Sequence, residues 1–177
     1  FGSAAKYVAS TVREIVLDAS VYQQRSVTIV EIMGRHAGWL TAASRLARKY
    51  EGDNPCLIYL PETPFSLEQF YNDLDAAFKK SPNLVVCVSE GIADEGEYSD
   101  AAKLDSFGHK MLTGCGEVLE SFVRDKFGVK VRSIELNVNQ RCSGMMVSET
   151  DIEEAAMAGA AGVKAVLAGE TKKMIAF

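Results

Sequence analysis

Residues that could bind a phosphorylated sugar through side chain or backbone stand directly after three apolar runs of the chain. They are Met33, Gly34 and Arg35 after the first run, Glu90 and Gly91 after another, and Asn139, Gln140 and Arg141 after a later one. A guanidinium group matches the oxygens of a phosphate, and a carboxylate accepts hydrogen bonds from sugar hydroxyls. These residue types could therefore recognise a phosphorylated polyol together, provided that the fold brings them to one place.

The elements that must position these residues can be predicted from the pattern of apolar side chains. Residues 27–32 are rich in β-branched side chains and predict a buried strand. Further strands are predicted at 56–60, 84–88 and 129–136, and residues 174–177 resemble the beginning of one more. Helical spacing of apolar residues predicts helices at 3–18, 38–50, 66–80, 108–127 and 151–168. This alternation predicts an α/β protein with a mostly parallel sheet and helices on both faces.

A parallel sheet would bring the three polar groups together. The carboxyl ends of parallel strands open on one edge of the sheet, and ligands collect in the crevice beyond that edge. Arg35, Glu90 and Arg141 are then expected to converge on one crevice.

Each of these residues also has a non-functional interpretation. Arg35 or Arg141 could pair with a neighbouring acid on the surface, and Glu90 could face the positive end of a helix. His36 has no adjacent nucleophile and is interpreted as a helix-entry residue, and Trp39 as a packing residue. The coincidence of three strand ends is what favours a binding site.

Composition narrows the function classes. The 177 residues carry a net charge of −5, which argues against broad nucleic-acid binding. No apolar run approaches a membrane span and no export signal is visible, so no membrane partner and a cytoplasmic location are expected. The cysteines, 56, 87, 115 and 142, are too widely spaced for a metal site and are interpreted as reduced, largely buried thiols.

The ordered motifs resemble the 6-phosphofructokinase family, whose members use ATP or pyrophosphate. The resemblance rests on the segments VEIMGRHAGW at 30–39, SEG at 89–91, Arg132 followed by Glu135 and Leu136, and QR at 140–141. It covers nearly the whole chain and implies the Rossmann-like substrate domain of that family. The implied activity is transfer of a phosphoryl group to the 1-hydroxyl of fructose 6-phosphate, giving fructose 1,6-bisphosphate in glycolysis.

The resemblance also implies roles for individual residues. Arg35 would hold the substrate and offset charge that develops on the transferred phosphoryl group, while Arg132 would reach the 6-phosphate bound by a neighbouring subunit of a homo-oligomer. The full implied set of substrate-binding residues is Met33, Gly34, Arg35, Glu90, Arg132, Val138, Asn139, Gln140 and Arg141. The family often has His or Tyr where Val138 stands, and its second cross-subunit arginine falls at Ser26, one residue after Arg25.

Two family segments do not occur in the 177 residues: the glycine-rich donor loop and the Thr-Ile-Asp-x-Asp segment that supplies the base and a metal carboxylate. The chain is therefore expected to be an incomplete piece of a two-domain enzyme, with residues 1–177 forming the sugar-phosphate-binding domain. The donor site, the base and the ligands of a Mg²⁺ cofactor would lie in the other half, and the isolated segment is expected to be inactive. The alternative is a non-catalytic sugar-phosphate-binding or regulatory module.

Overall fold

A computed structural model describes residues 1–95 and 114–177 of the chain. Its strands are β1 (Ser26–Ile32), β2 (Leu57–Tyr59), β3 (Asn83–Ser89) and β4 (Lys130–Glu135). Its helices are α1 (Gly2–Ala19), α2 (Trp39–Ala43), α3 (Leu67–Phe78), α4 (Cys115–Phe127), α5 (Asn139–Cys142) and α6 (Glu149–Leu167). Short 3₁₀ segments follow α2 at Ser44–Ala47 and β3 at Glu90–Glu95.

The four strands form one parallel sheet in the order β2-β3-β1-β4. Ile32 at the end of β1 lies beside Ser89 at the end of β3, and Glu31 lies beside Glu135 at the end of β4. The carboxyl ends of these strands therefore share one edge, which confirms the predicted fold class.

The core lies on both faces of β1 and β3, whose residues are all buried. Phe70 and Leu74 of α3 and Leu119 of α4 pack on one face, while Val8 and Val12 of α1 belong to the cluster on the other. Central strands covered on both sides need apolar residues at successive positions, which explains their continuous β-branched runs.

The helix predicted at 38–50 is wrong in its second half. Helix α2 ends at Ala43, a 3₁₀ segment follows, and the backbone is extended at Arg48. The Ser44 hydroxyl donates to the Thr41 carbonyl at 2.6 Å, a local bond of the kind that competes with the regular helical ladder. The extended Arg48 sends its guanidinium to the carbonyl oxygens of Pro55 and Cys56.

Other boundaries also differ from the predictions. Residues 174–177, which the structure describes, do not form a strand. The acidic segment predicted as an exposed loop from residue 92 begins instead inside the 3₁₀ segment, with Ile92 buried; residues 96–106 lie outside the described ranges. Helix α4 begins only at Cys115, after Gly114 in the left-handed conformation, and residues 108–113 of its predicted span lie outside those ranges too. Its predicted end at Gly128, with φ of 60°, is confirmed.

None of the helices in the two described ranges is long and apolar enough to cross a membrane.

Candidate functional site

The turn after β1 has an unusual backbone held by a carboxylate. Arg35 adopts a left-handed conformation with φ of 49°, which is unfavourable for a residue with a side chain. Oε1 of Glu90 accepts hydrogen bonds from the backbone N–H of Gly34 at 3.0 Å and of Arg35 at 2.8 Å. Because Glu90 is only 4% exposed, these charge-assisted bonds hold the turn in place and present the exposed Arg35 side chain at the edge of the sheet.

Gly91 allows this turn to approach β3. A methyl group on Gly91 would stand 1.9 Å from the carbonyl oxygen of Arg35, far inside van der Waals contact. A glycine is therefore required where the end of β3 meets the turn after β1.

Gln140 ties the segment after β4 to the same turn. Its side-chain Oε1 accepts from the Met33 N–H at 3.0 Å, and its Nε2 donates to the Met33 carbonyl at 2.9 Å. The Gln140 side chain is buried, whereas its neighbour Arg141 is exposed. The structure therefore places Arg35 and Arg141 on two segments that are hydrogen-bonded to each other.

The remaining predicted residues of this segment surround that attachment. Asn137 is left-handed with φ of 45°, and the chain then forms the short helix α5. Val138 and Asn139 are exposed beside Arg141. The structure thus brings every predicted residue except Arg132 to the carboxyl edge of the sheet.

Arg132 lies elsewhere. It stands opposite Thr28 in the register of β1 and β4, nearer the amino ends of these strands. Its guanidinium is 3.4 Å from an Asp18 carboxylate oxygen and 3.1 Å from the Tyr22 hydroxyl. Its role towards a neighbouring subunit stays a prediction.

Glu31 is a buried charged residue whose role the sequence interpretation did not identify. It is 3% exposed, and its two carboxylate oxygens accept from the N–H groups of Gly114 at 3.0 Å and Gly116 at 2.7 Å. Its carbonyl accepts from Leu136 N–H, so one residue connects β1, β4 and the start of α4. Burial raises the pKa of the Glu31 carboxyl. The signal was a charge inside a β-branched run.

Glu62 adds a contact from the segment after β2, the remaining strand of the sheet. It follows β2, and its Oε1 accepts from the Gly38 N–H at 2.7 Å just before α2. Carboxylates after β2 and β3 therefore both accept hydrogen bonds from backbone amides of the segment after β1.

The interpretation of Trp39 as a packing residue is wrong in this structure. Trp39 is the first residue of α2 and is 72% exposed, whereas Thr41 is the buried residue of that helix. Residues two apart lie on nearly opposite sides of a helix, so burying Thr41 turns Trp39 outward. His36 is exposed on the turn between Arg35 and α2.

The cysteines largely match their interpretation. Cys87 and Cys115 are buried, Cys56 is partly buried, and only Cys142 of these four is exposed. Burial raises the pKa of Cys56 to about 11 and of Cys87 to about 12, so both are protonated and unreactive near neutral pH.

The part of the site that the structure describes does not fit a metal ion. Among the side chains described in residues 1–92 and 114–177, no three His, Cys, Asp or Glu residues are grouped so that they could hold one. Glu90, Glu62 and Glu31 instead accept hydrogen bonds from backbone amides. This edge presents backbone turns held by hydrogen bonds and exposed arginine side chains, groups of the kind that can bind an anion.

A parallel sheet covered by helices, with arginines on turns at its carboxyl edge, defines an open α/β protein with a candidate ligand crevice at that edge. The family model for phosphofructokinase matches residues 1–167. The chain therefore belongs to the phosphofructokinase family.

Known relatives agree with this assignment. The chain is 41% identical over 174 residues to a pyrophosphate–fructose 6-phosphate 1-phosphotransferase of Xanthomonas campestris, covering 96% of this chain and 42% of that protein. It is 37% identical over 176 residues to a sulfofructose kinase of Alkalicoccus urumqiensis, covering 99% of this chain and 45% of that protein. The crystal structure of a pyrophosphate-dependent phosphofructokinase from Marinobacter aquaeolei matches with a TM-score of 0.76 and 34% identity, over 96% of this chain and 40% of that one. The chain thus spans less than half the length of these relatives.

Proposed function

We propose that this chain is the fructose 6-phosphate-binding part of a longer phosphofructokinase. That enzyme would transfer a phosphoryl group from pyrophosphate or ATP to the 1-hydroxyl of fructose 6-phosphate, yielding fructose 1,6-bisphosphate. The single observation that supports the proposal most directly is the pair of turns carrying Arg35 and Arg141, held against each other at the carboxyl edge of the sheet.

Different residues are assigned to the phosphate and to the sugar of the substrate. Arg35 and Arg141 supply guanidinium groups for phosphate oxygens, and Arg35 also offsets charge on the transferred phosphoryl group. Glu90 uses Oε1 to hold the turn, and we assign its Oε2 to the sugar hydroxyls. Because both turns are fixed by hydrogen bonds, the substrate would bind to a site that is already ordered.

The donor and its metal belong to the rest of the proposed enzyme. Pyrophosphate is the donor supported by the names of several relatives, among them those from Xanthomonas campestris and Halomonas elongata. A Mg²⁺ cofactor, a homo-oligomer in which Arg132 serves a neighbouring subunit, and a cytoplasmic location are further parts of the proposal implied by the resemblance. The donor loop and the base would likewise come from residues outside this chain.

The proposal is tested first on the full-length protein that contains this segment. Phosphorylation that depends on fructose 6-phosphate and on pyrophosphate or ATP is the expected result. Binding of fructose 6-phosphate with no turnover by either donor would instead support the non-catalytic binding or regulatory module. Absence of both binding and turnover would contradict both proposals.

The site itself is tested by calorimetry on the 177-residue chain with fructose 6-phosphate as the ligand. Arg35→Ala and Arg141→Ala are each expected to weaken binding roughly 10- to 100-fold, because each removes a hydrogen bond to a charged group. Arg45→Ala is the matched control, since Arg45 is exposed in the 3₁₀ segment after α2. Unchanged binding in both site variants would place the ligand elsewhere.

A second substrate deserves a direct comparison because one relative is a sulfofructose kinase at 37% identity. A sulfonate carries one negative charge, whereas the phosphate of fructose 6-phosphate carries close to two at neutral pH. The Val138 side chain offers no hydrogen bond donor beside Arg141, so a phosphate bound there would have one side-chain partner fewer than with His or Tyr. Parallel titrations with fructose 6-phosphate and 6-deoxy-6-sulfofructose on the same chain would decide which anion the site prefers.

A further inference from the structure

We propose that Gln140 is a positioning residue that couples the two arginine-bearing segments, and that its side chain acts on Met33 rather than on the ligand. The resemblance places Gln140 among the substrate-binding residues. This inference rests on the proposed function, because the groups that Gln140 would position are Arg35 and Arg141, which that function assigns to the phosphate. The geometry, however, directs both ends of the Gln140 amide to the Met33 backbone.

The Gln140 side chain is buried, so its second amide N–H is not presented to a ligand in solvent. Gln140 is 2% exposed, its carbonyl oxygen accepts from the Met33 N–H, and its amide nitrogen donates to the Met33 carbonyl. A buried group with both polar atoms engaged contributes by holding its partners in place. The exposed groups on either side of it, Asn139 and Arg141, remain the parts of this segment that a ligand can contact.

An amide is the side chain that this position requires. The Met33 peptide presents one donor and one acceptor, and a glutamine presents the complementary acceptor and donor at the end of one flexible arm. A carboxylate could accept from the Met33 N–H but would set its second oxygen against the Met33 carbonyl. A protonated carboxylic acid would restore the donor, so the contact in Gln140→Glu should depend on pH.

The contact between Gln140 and Met33 lies next to both arginines. Met33 precedes Gly34 and Arg35, whose N–H groups are held by Glu90, and Gln140 precedes Arg141. Beyond the pairing of β1 with β4, the contact from Gln140 to Met33 links the two arginine-bearing segments directly and so helps to set the spacing between the arginines. Losing that contact would leave both arginines present but would no longer fix their relative position.

The test uses the full-length protein that contains these 177 residues, with fructose 6-phosphate as the ligand. Gln140→Met removes both hydrogen bonds at similar volume and is expected to weaken binding roughly 5- to 100-fold, because it leaves the Met33 peptide groups unpaired. In a chain that already carries Arg35→Ala and Arg141→Ala, adding Gln140→Met should change the remaining affinity less than twofold. A full additional loss there would show that Gln140 binds the ligand itself and would overturn the proposal.

Gln140→Glu supplies a readout that a purely structural role would not move. Its affinity relative to wild type at the same pH is expected to be close to one in acid, where the introduced carboxyl is protonated, and to fall as the pH rises. Gln24→Glu in the exposed loop before β1 is the matched control and should show a flat ratio. A flat ratio for Gln140→Glu as well would contradict the proposed hydrogen-bond pattern.

Hydrogen exchange separates this proposal from the proposed function. The Met33 N–H should exchange slowly in wild type and much faster in Gln140→Met, whether or not any ligand binds. One outcome is that wild type binds no fructose 6-phosphate and still protects the Met33 N–H, with that protection lost in Gln140→Met. The proposed function would then fail while the coupling through Gln140 would stand. Rapid exchange in wild type would refute the coupling, whatever the ligand affinity.

Discussion

The turn after β1 and the helix α6 are stabilised in opposite ways. The turn is held by buried polar side chains, with Glu90 on the amides of Gly34 and Arg35 and Gln140 on Met33. Helix α6 buries none of its residues within the part of the chain that the structure describes. Its Asp151 carboxylate instead accepts from the backbone N–H groups of Gly2 and Ser3 at the start of α1.

The difference shows where the structure fixes geometry strictly. Buried hydrogen bonds allow few alternative arrangements, because breaking one leaves an unpaired polar group away from water. An exposed helix rich in Ala and Gly tolerates substitution, because solvent replaces lost contacts and intrinsic propensity decides its stability. The site is therefore expected to respond sharply to small changes that α6 accepts.

The largest expected effect on stability comes from adding a methyl group at the turn after β1, and the same addition in α6 is the comparison. Gly91→Ala would place a methyl carbon 1.9 Å from the Arg35 carbonyl oxygen, and moving that backbone away is expected to cost about 3 kcal/mol or more. Gly159→Ala in α6 meets no described atom within 4 Å and is expected to stabilise the chain by about 0.5–1 kcal/mol, because alanine favours helix. Urea unfolding of both variants measures the two effects.

Ligand binding sharpens the same comparison. Gly91→Ala should also abolish fructose 6-phosphate binding under conditions where the chain remains folded, because the displaced turn carries Arg35. Gly159→Ala should bind as wild type does. Equal stability changes in the two variants would show that the turn after β1 is no more constrained than the exposed helix.

The sequence predicts the sheet well because its signals are local. The β-branched runs predict β1 and β3 to within one residue at each end, and the parallel order follows from the alternation of strands and helices. The convergence of Arg35, Glu90 and Arg141 segments on one edge follows from parallel strands alone. The left-handed Gly128 marked the end of α4 because glycine favours that conformation.

The sequence could not show what each polar side chain does. Glu90 and Gln140 are recognisable as polar residues after strands, but their engagement with the backbone of Gly34, Arg35 and Met33 depends on contacts across 55 to 107 residues of chain. The 3₁₀ segment after α2 is followed by an extended Arg48 that bonds the carbonyls of Pro55 and Cys56, contacts that apolar periodicity does not encode. The role of Glu31 could not be predicted, because the β-branched run around it predicts a strand whether or not it contains one charged residue.

Glu31 provides a smaller effect whose dependence on pH can be measured. Burial raises the pKa of Glu31 in the folded chain, so the folded state binds this proton more tightly than the unfolded state does. The Glu31 contribution to the free energy of unfolding therefore falls as the pH rises from the ordinary glutamate pKa through the raised one.

Glu31→Gln is expected to destabilise the chain by about 1–3 kcal/mol at acidic pH, because an amide cannot accept from both Gly114 and Gly116. The stability difference, wild type minus variant, should then shrink as the pH rises, since only wild type loses stability by ionising this group. Urea unfolding of both proteins across that pH range measures the difference. A difference that grows with pH would contradict the raised pKa.

The smallest expected effect is at Asp151, and its pH dependence should have the opposite sign. Hydrogen bonds from the Ser3 hydroxyl and the Ser3 and Gly2 N–H groups lower the pKa of Asp151 to about 2. A lowered folded-state pKa contributes stability that is present above the ordinary aspartate pKa and lost as the pH falls through the lowered one. The difference in unfolding free energy between wild type and Asp151→Asn should therefore be constant at neutral pH and disappear between about pH 4 and pH 2.

Because α6 is exposed, fructose 6-phosphate binding at neutral pH should be the same in both proteins. Weakened binding in Asp151→Asn would mean that α6 and the turn after β1 are linked more closely than their separate hydrogen bonds suggest.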